Sequence, residues 1–164
     1  MANSEVLGTM DLTHRDRREP FLQPSLPSEL RCFTSEMFEF FLDRQLAEAE
    51  RYGNYTTLLF FQVKGGEVPK EAMRVLTTCL SRNIRVSDFL ALLEEKTLAV
   101  VLLNATAETA AGVLKRLEEE ALLHLACADQ KLKLAFSSAC YPSEAGTVDE
   151  LKDLAFSRLS PVLH

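Results

Sequence analysis

Two residues able to hold a polar ligand stand close together in the stretch "RNIRVSDFLALLEEKTLAVVLL". Arg85 offers a planar fork of donors, and Asp88, three positions on, offers a carboxylate acceptor. The pair has two readings. It serves a ligand, or the two side chains serve each other as an ion pair at a helix end, an interaction worth ~0–1 kcal/mol. Arg82, one helical turn before Arg85, adds positive charge nearby. Two apolar runs follow, separated by Glu94-Glu95-Lys96-Thr97, a charged tip without glycine. Adjacent carboxylates in a turn point apart into water, so Glu94 and Glu95 read as a solvated turn rather than a catalytic pair. His14, His124 and His164 are scattered without ligand spacing, so no metal or cofactor is expected.

These residues belong to a chain of 164 residues, enough for one domain of ordinary size and a tail. At 47% hydrophobic and 26% charged, the composition is that of a folded globular protein. The net charge of −6 argues against a broad polyphosphate-binding surface, so nucleic acid is not an expected partner. Cys32, Cys79, Cys127 and Cys140 are far apart and form no Cys-x-x-Cys, which reads as buried thiols in a reducing compartment. No apolar run approaches the ~18 residues that span a bilayer. The polar N-terminus has no apolar core of a signal peptide. The expectation is a cytoplasmic protein with no direct membrane insertion.

"REPFLQPSLPSELR", with Pro20, Pro24 and Pro27, has the composition of a linker, so residues 1–30 are expected to form a flexible arm and residues 31–164 the domain. Ser35 is placed as the N-cap of a helix that ends at Gly53. "YTTLLFFQV" reads as a buried strand. Phe38, Phe40, Phe41, Phe60 and Phe61 read as core. Pro69 suits the first position of a second helix, with Ala72, Val75, Leu76, Cys79 and Leu80 as its inner stripe. Strands near 88–93 and 98–103 form a hairpin. A third helix starts near Thr106, with Ala107, Ala110, Ala111, Leu114 and Leu117 inward and "RLEEE" as a solvated face. "KLKLAFSSACY" is a strand whose Lys131 and Lys133 mark a wet side. Thr147 and Glu150 form a capping box for a last helix that turns Leu151, Leu154, Ala155 and Leu159 inward. Helix, strand, helix, strand, strand, helix, strand, helix describes an α/β domain of two or three layers.

That order resembles the GGDEF domain of bacterial diguanylate cyclases over roughly residues 35–159, and so do "QLAEAERYGNYTTLLFFQV", "RNIRVSD", "LAVVLLNATAETAAGVLKRLEEE" and "LAFSSACYPSEAGTVDELKDLA". The resemblance implies a central sheet of about five strands flanked by helices, with an antiparallel signature hairpin. In the family the hairpin tip is Gly-Gly-Asp/Glu-Glu-Phe; here those positions are Glu94, Glu95, Lys96, Thr97 and Leu98. The glycines let the backbone approach a nucleotide, and the third position's carboxylate helps hold a divalent metal. Lys96 brings the opposite charge, and only Leu98 keeps an apolar role. The family's second metal carboxylate lies in an Asp-x-Asp-x-Phe-Lys pattern, where this chain has Gln62 and Lys64. The guanine-recognising segment is shortened to "GGEVPKEA". The resemblance therefore implies a degenerate GGDEF domain without cyclase activity.

Cyclases of this family also carry an inhibitory product site, an Arg-x-x-Asp that ends five residues before the signature. Asp88 is followed by Phe89 to Leu93 and then Glu94, in that register, and Arg116 lies on the helix that supplies a further arginine. The resemblance implies a cyclic di-GMP receptor using Arg85, Asp88 and Arg116. The guanidinium groups would take phosphate or the O6/N7 edge of guanine, and the carboxylate would accept from guanine N–H groups. It further implies a homodimer linked by the ligand and an unidentified protein partner that receives the signal. The rival reading is a nucleotide-free interaction scaffold, docking a partner on apolar helix faces or on the proline-containing arm.

Overall fold

The computed structural model describes residues 32–94, 96–128 and 131–159, with the side chains of Glu94 and Ala128 left out. The expected arm over residues 1–30, Glu95 at the hairpin tip, His14 and His164 lie outside the described residues. The elements run β1 (Cys32–Phe33), α1 (Ser35–Tyr52), β2 (Thr56–Lys64), α2 (Lys70–Arg82), β3 (Phe89–Glu94), β4 (Thr97–Leu103), α3 (Ala107–Ala128), β5 (Lys133–Tyr141) and α4 (Val148–Arg158). The order is the expected one with a short strand added in front. No described helix is long and apolar enough to cross a membrane.

The five strands form one sheet in the order β1-β3-β4-β2-β5, with β1 parallel to β3 and every other neighbour antiparallel. Why the domain has three layers follows from β2 and β4. Successive strand side chains point to opposite faces, so an unbroken apolar run needs cover on both sides. Leu59, Phe61 and Val63, with Leu98, Val100 and Leu102, pack under α2 and α3. Leu58 and Phe60, with Ala99 and Val101, pack against α1 and α4. β5 is an edge strand, and its exposed Lys133 discourages pairing with another chain. Lys131 and Lys133 are exposed while Leu132 and Leu134 are buried, as their alternation predicts.

Several local expectations shift. Thr34, not Ser35, caps α1: its hydroxyl accepts from the Met37 N–H at 3.2 Å, and Ser35 is already helical. Pro69 caps α2 with an extended ψ of 144°, so helical backbone begins at Lys70. Val75 is half-buried. On α3, Ala107 and Ala111 are exposed, and the buried line is Ala110, Leu117, Ala121 and Leu125. The helix runs to residue 128, and Leu117 and Leu125 set its inner face, with Ala110 and Ala121 on the same line, because an alanine methyl alone has little area to bury. Phe40 is 53% exposed, because it lies off the Phe38–Leu42 line of α1; the Arg44 guanidinium sits 5.6 Å from its ring centroid. Cys32, Cys79 and Cys140 are buried, but Cys127 is exposed beyond the last inward leucine of α3. Burial pushes the Cys32 thiol up to about 11, which keeps it a neutral core group. Gly53 ends α1 in the left-handed region at φ 69°, and Thr147 caps α4 by accepting from Glu150 N–H at 3.1 Å, both as read from the sequence, but the Glu150 carboxylate accepts from the Gly146 N–H at 2.8 Å instead of closing the box on Thr147.

The shifted cap is directly measurable. Thr34→Ala should cost ~1 kcal/mol in urea denaturation, the usual loss when an N-cap hydroxyl is removed, whereas Ser35→Ala should be nearly neutral. Equal costs at the two positions would contradict the cap assignment.

Candidate functional site

The loop between α2 and β3 carries Arg85 and Asp88. The Asp88 N–H donates to the Arg85 carbonyl at 3.0 Å, which closes a turn and folds the two side chains together. Asp88 Oδ2 accepts from the Arg85 backbone N–H at 3.1 Å and from Nε at 3.2 Å. Oδ1 accepts from Nη2 at 3.4 Å and from the Leu103 N–H, at the end of β4, at 3.1 Å. Arg85 Nη2 also donates to the Leu103 carbonyl at 2.7 Å. The ion pair foreseen at the helix end therefore exists, and it does more than neutralise charge. It latches the loop onto the end of β4, and the Asp88 side chain is only 2% exposed while that of Arg85 is 60% exposed.

Arg116 reaches the same loop from α3. Its Nη2 donates to the carbonyl of Asn83, the residue that ends α2, at 2.8 Å. Arg85 and Asp88 are thus in contact, and Arg116 is tied two residues upstream of Arg85. Sequence reasoning missed the Leu103 and Asn83 backbone groups. No residue type announces a main-chain partner, so only the register of β4 and the crossing of α3 supply them. Chemically, the arrangement is an exposed guanidinium steadied from behind, with a second arginine on an adjacent helix. It suits an anionic ligand. Both Asp88 oxygens are engaged within the chain.

The hairpin tip lies at the opposite end of the sheet. Leu103 pairs with Thr56 at the start of β2, and Thr97 pairs with Gln62 near its finish. Six residues of β4 separate the two ends, about 20 Å at the usual rise of an antiparallel strand. At the tip Gln62 Nε2 donates to Thr97 Oγ1 at 3.2 Å, and the Val63 N–H donates to the Lys96 carbonyl at 2.9 Å. Lys96 Nζ donates to the Gly66 carbonyl at 2.9 Å. The chain after β2 is shaped by Gly65 at φ +118°, where a Cβ would lie 2.8 Å from the Lys131 carbonyl oxygen. Thr97 and Leu98 are fully buried, and the β3–β4 pairing is irregular between Leu92 and Glu94. Gln62, Lys64 and Lys96 present amide and ammonium groups to this end of the sheet. That donor set does not fit a divalent cation, which needs oxygen ligands and is repelled by two lysine charges.

No protein-family model and no curated protein matches the sequence. Solved structures do resemble it, GGDEF domains and diguanylate cyclases among them. A diguanylate cyclase protein from Thermotoga maritima is 18% identical with a TM-score of 0.68, over 79% of this chain and 97% of that one. The GGDEF domain of DgcB from Caulobacter crescentus, solved in complex with c-di-GMP, is 16% identical with a TM-score of 0.65, over 87% of this chain and 90% of that one. Diguanylate cyclase SiaD from Pseudomonas aeruginosa, solved with its activator SiaC, is 11% identical with a TM-score of 0.70, over 96% of this chain and 64% of that one. The chain has the GGDEF fold.

The latch predicts an unequal mutant pair. Asp88→Ala should cost ~1–3 kcal/mol in urea denaturation, because it strips the shared acceptor from the Arg85 and Leu103 N–H groups and unlatches the loop. Arg85→Ala, which removes the Nε and Nη2 donors but leaves the Arg85 and Leu103 N–H groups on the carboxylate, should cost less than Asp88→Ala. Equal and small effects would mean that the carboxylate holds nothing together.

Proposed function

We propose that this chain is a signalling module of the GGDEF fold that performs no cyclase reaction and acts as a receptor for cyclic di-GMP. The observation that carries the reading is the Arg85 guanidinium, exposed to solvent yet oriented by a buried carboxylate. A pre-oriented arginine loses little freedom on binding and meets phosphate or a guanine edge with paired donors. Arg116, held at Asn83, supplies the second cation. In this reading Asp88 acts first as a positioning residue, and it accepts from guanine only by giving up a bond to Arg85 or Leu103. The DgcB structure, with cyclic di-GMP bound to the same fold, supports the ligand class. Lys64 and Lys96, with Gln62, support the absence of cyclase chemistry, since the triphosphate's metal would meet cations in place of carboxylates.

A second reading, the nucleotide-free scaffold, is favoured by the full engagement of Asp88 and by Val86, which is 82% exposed beside Arg85. An apolar side chain at the loop's tip suits contact with a protein, and SiaD is a neighbour that binds one.

Calorimetry with cyclic di-GMP at moderate salt separates the two. The receptor reading expects micromolar or tighter binding, weakened at least tenfold (about 1.4 kcal/mol) in both Arg85→Ala and Arg116→Ala, and no product from GTP with Mg²⁺. No heat with ligand at hundreds of micromolar would remove the receptor reading and leave the scaffold. Formation of cyclic di-GMP from GTP would overturn both.

A further inference from the structure

Cys79 on α2 and Glu120 and His124 on α3 converge across the groove between those helices. The Cys79 Sγ, a Glu120 carboxylate oxygen and a His124 ring nitrogen all lie within 4.8 Å of one another. The i,i+4 spacing puts Glu120 and His124 on one face of α3. Their burial is graded, with Cys79 at the buried floor, Glu120 half-buried and His124 at the exposed rim. Together they line a cleft of about 460 Å³, with Arg74, Arg82 and Asn83 among its other walls.

We propose that Cys79, Glu120 and His124 form a binding site for a Zn²⁺ ion that staples α2 to α3. The donor set chooses the metal. One sulfur, one imidazole nitrogen and one carboxylate oxygen suit zinc, whereas Mg²⁺ and Ca²⁺ take oxygen alone. Bonds of ~2.0–2.3 Å in a tetrahedron put ligand atoms about 3.3–3.8 Å apart. The present separations close to that by rotation of the half-buried Glu120 side chain. His124 is already set for the task. Its Nδ1 lies 2.7 Å from the Glu120 carbonyl oxygen, which can only accept, so Nδ1 carries the proton and Nε2 the lone pair. A thiolate and a carboxylate together balance the charge of the ion. Arg74, at the rim, is itself paired with Glu71 at 2.6 Å. The fourth coordination position opens to the cleft, where water fills it.

The sequence concealed this site because its ligands come from two helices and no two form a Cys-x-x-Cys or His-x-x-x-His pattern. The ion would also brace the loop that carries Arg85. Asn83 Nδ2 donates to the Cys79 carbonyl at 2.7 Å, and the Asn83 carbonyl accepts from Arg116. The site does not rest on the cyclic di-GMP reading.

The test uses the full, untagged chain. Zn²⁺ is titrated against a competing chelator, and Co²⁺ serves as a spectroscopic probe of thiolate ligation. The expected result is one ion per chain, a raised thermal midpoint and a thiolate-to-cobalt charge-transfer band. His124→Ala and Cys79→Ser should each weaken binding at least tenfold, the scale already seen for the loss of a supporting group around a metal. Cys127→Ser, which removes the exposed thiol three residues from His124, should leave binding unchanged. His124 is exposed, so its variant keeps the fold (checked by circular dichroism) even if Cys79→Ser does not. Binding of less than a tenth of an ion per chain overturns the site, as does full affinity in His124→Ala or a loss in Cys127→Ser.

Discussion

The structure depends on one strand being dry on both faces. β2 lies between β4 and β5, and Leu58 through Phe61 are completely buried. Each such side chain is worth ~1.5–3 kcal/mol only if water is excluded from its own side of the sheet. Helices are therefore required on both faces, α1 and α4 on one and α2 and α3 on the other. Polar side chains of the sheet gather at the two ends of this strand. Gln62 and Lys64 meet the hairpin tip where the apolar run gives out, and the Arg85–Asp88 loop sits beside Leu103 at the other end.

Separation of these ends lets the two change independently. At the tip, side-chain amide, hydroxyl and ammonium groups zip the end of β2 to the β3–β4 connection. At the other end a carboxylate is buried and yet satisfied, because the Arg85 turn and the Leu103 N–H supply donors at 3.1–3.4 Å. Burying a carboxylate without those donors would cost several kcal/mol, so Asp88 is kept in place by the fold whether or not a ligand arrives. The Arg85 side chain, though tied to Asp88 and to the Leu103 carbonyl, remains 60% exposed.

Much of the fold was legible in the chain because its signals are local. The unbroken apolar runs of β2 and β4, Gly53 past the end of α1 and the Thr147 cap of α4 each act within a few residues. Cys32–Phe33 was not legible as a strand, since two residues carry no periodicity and pair only because β3 offers an edge. Alanine positions on α3 were misread for a related reason: a methyl group contributes too little burial to fix which way a helix turns. For Arg85, Asp88 and Arg116 the pattern along the chain carried no sign of their contacts with the backbone of Leu103 and Asn83.

What the sequence determined by itself was the four helices and the four longer strands, their order, and the amide and ammonium side chains of Gln62, Lys64 and Lys96, because residue type and spacing along the chain decide those. What only the tertiary structure decided was which groups meet. The engagement of Asp88 with Leu103, the seating of Arg116 on Asn83, and the convergence of Cys79 with Glu120 and His124 all join residues far apart in the chain. Such contacts depend on strand register and helix crossing, which are set by packing the whole core and are encoded in no single stretch.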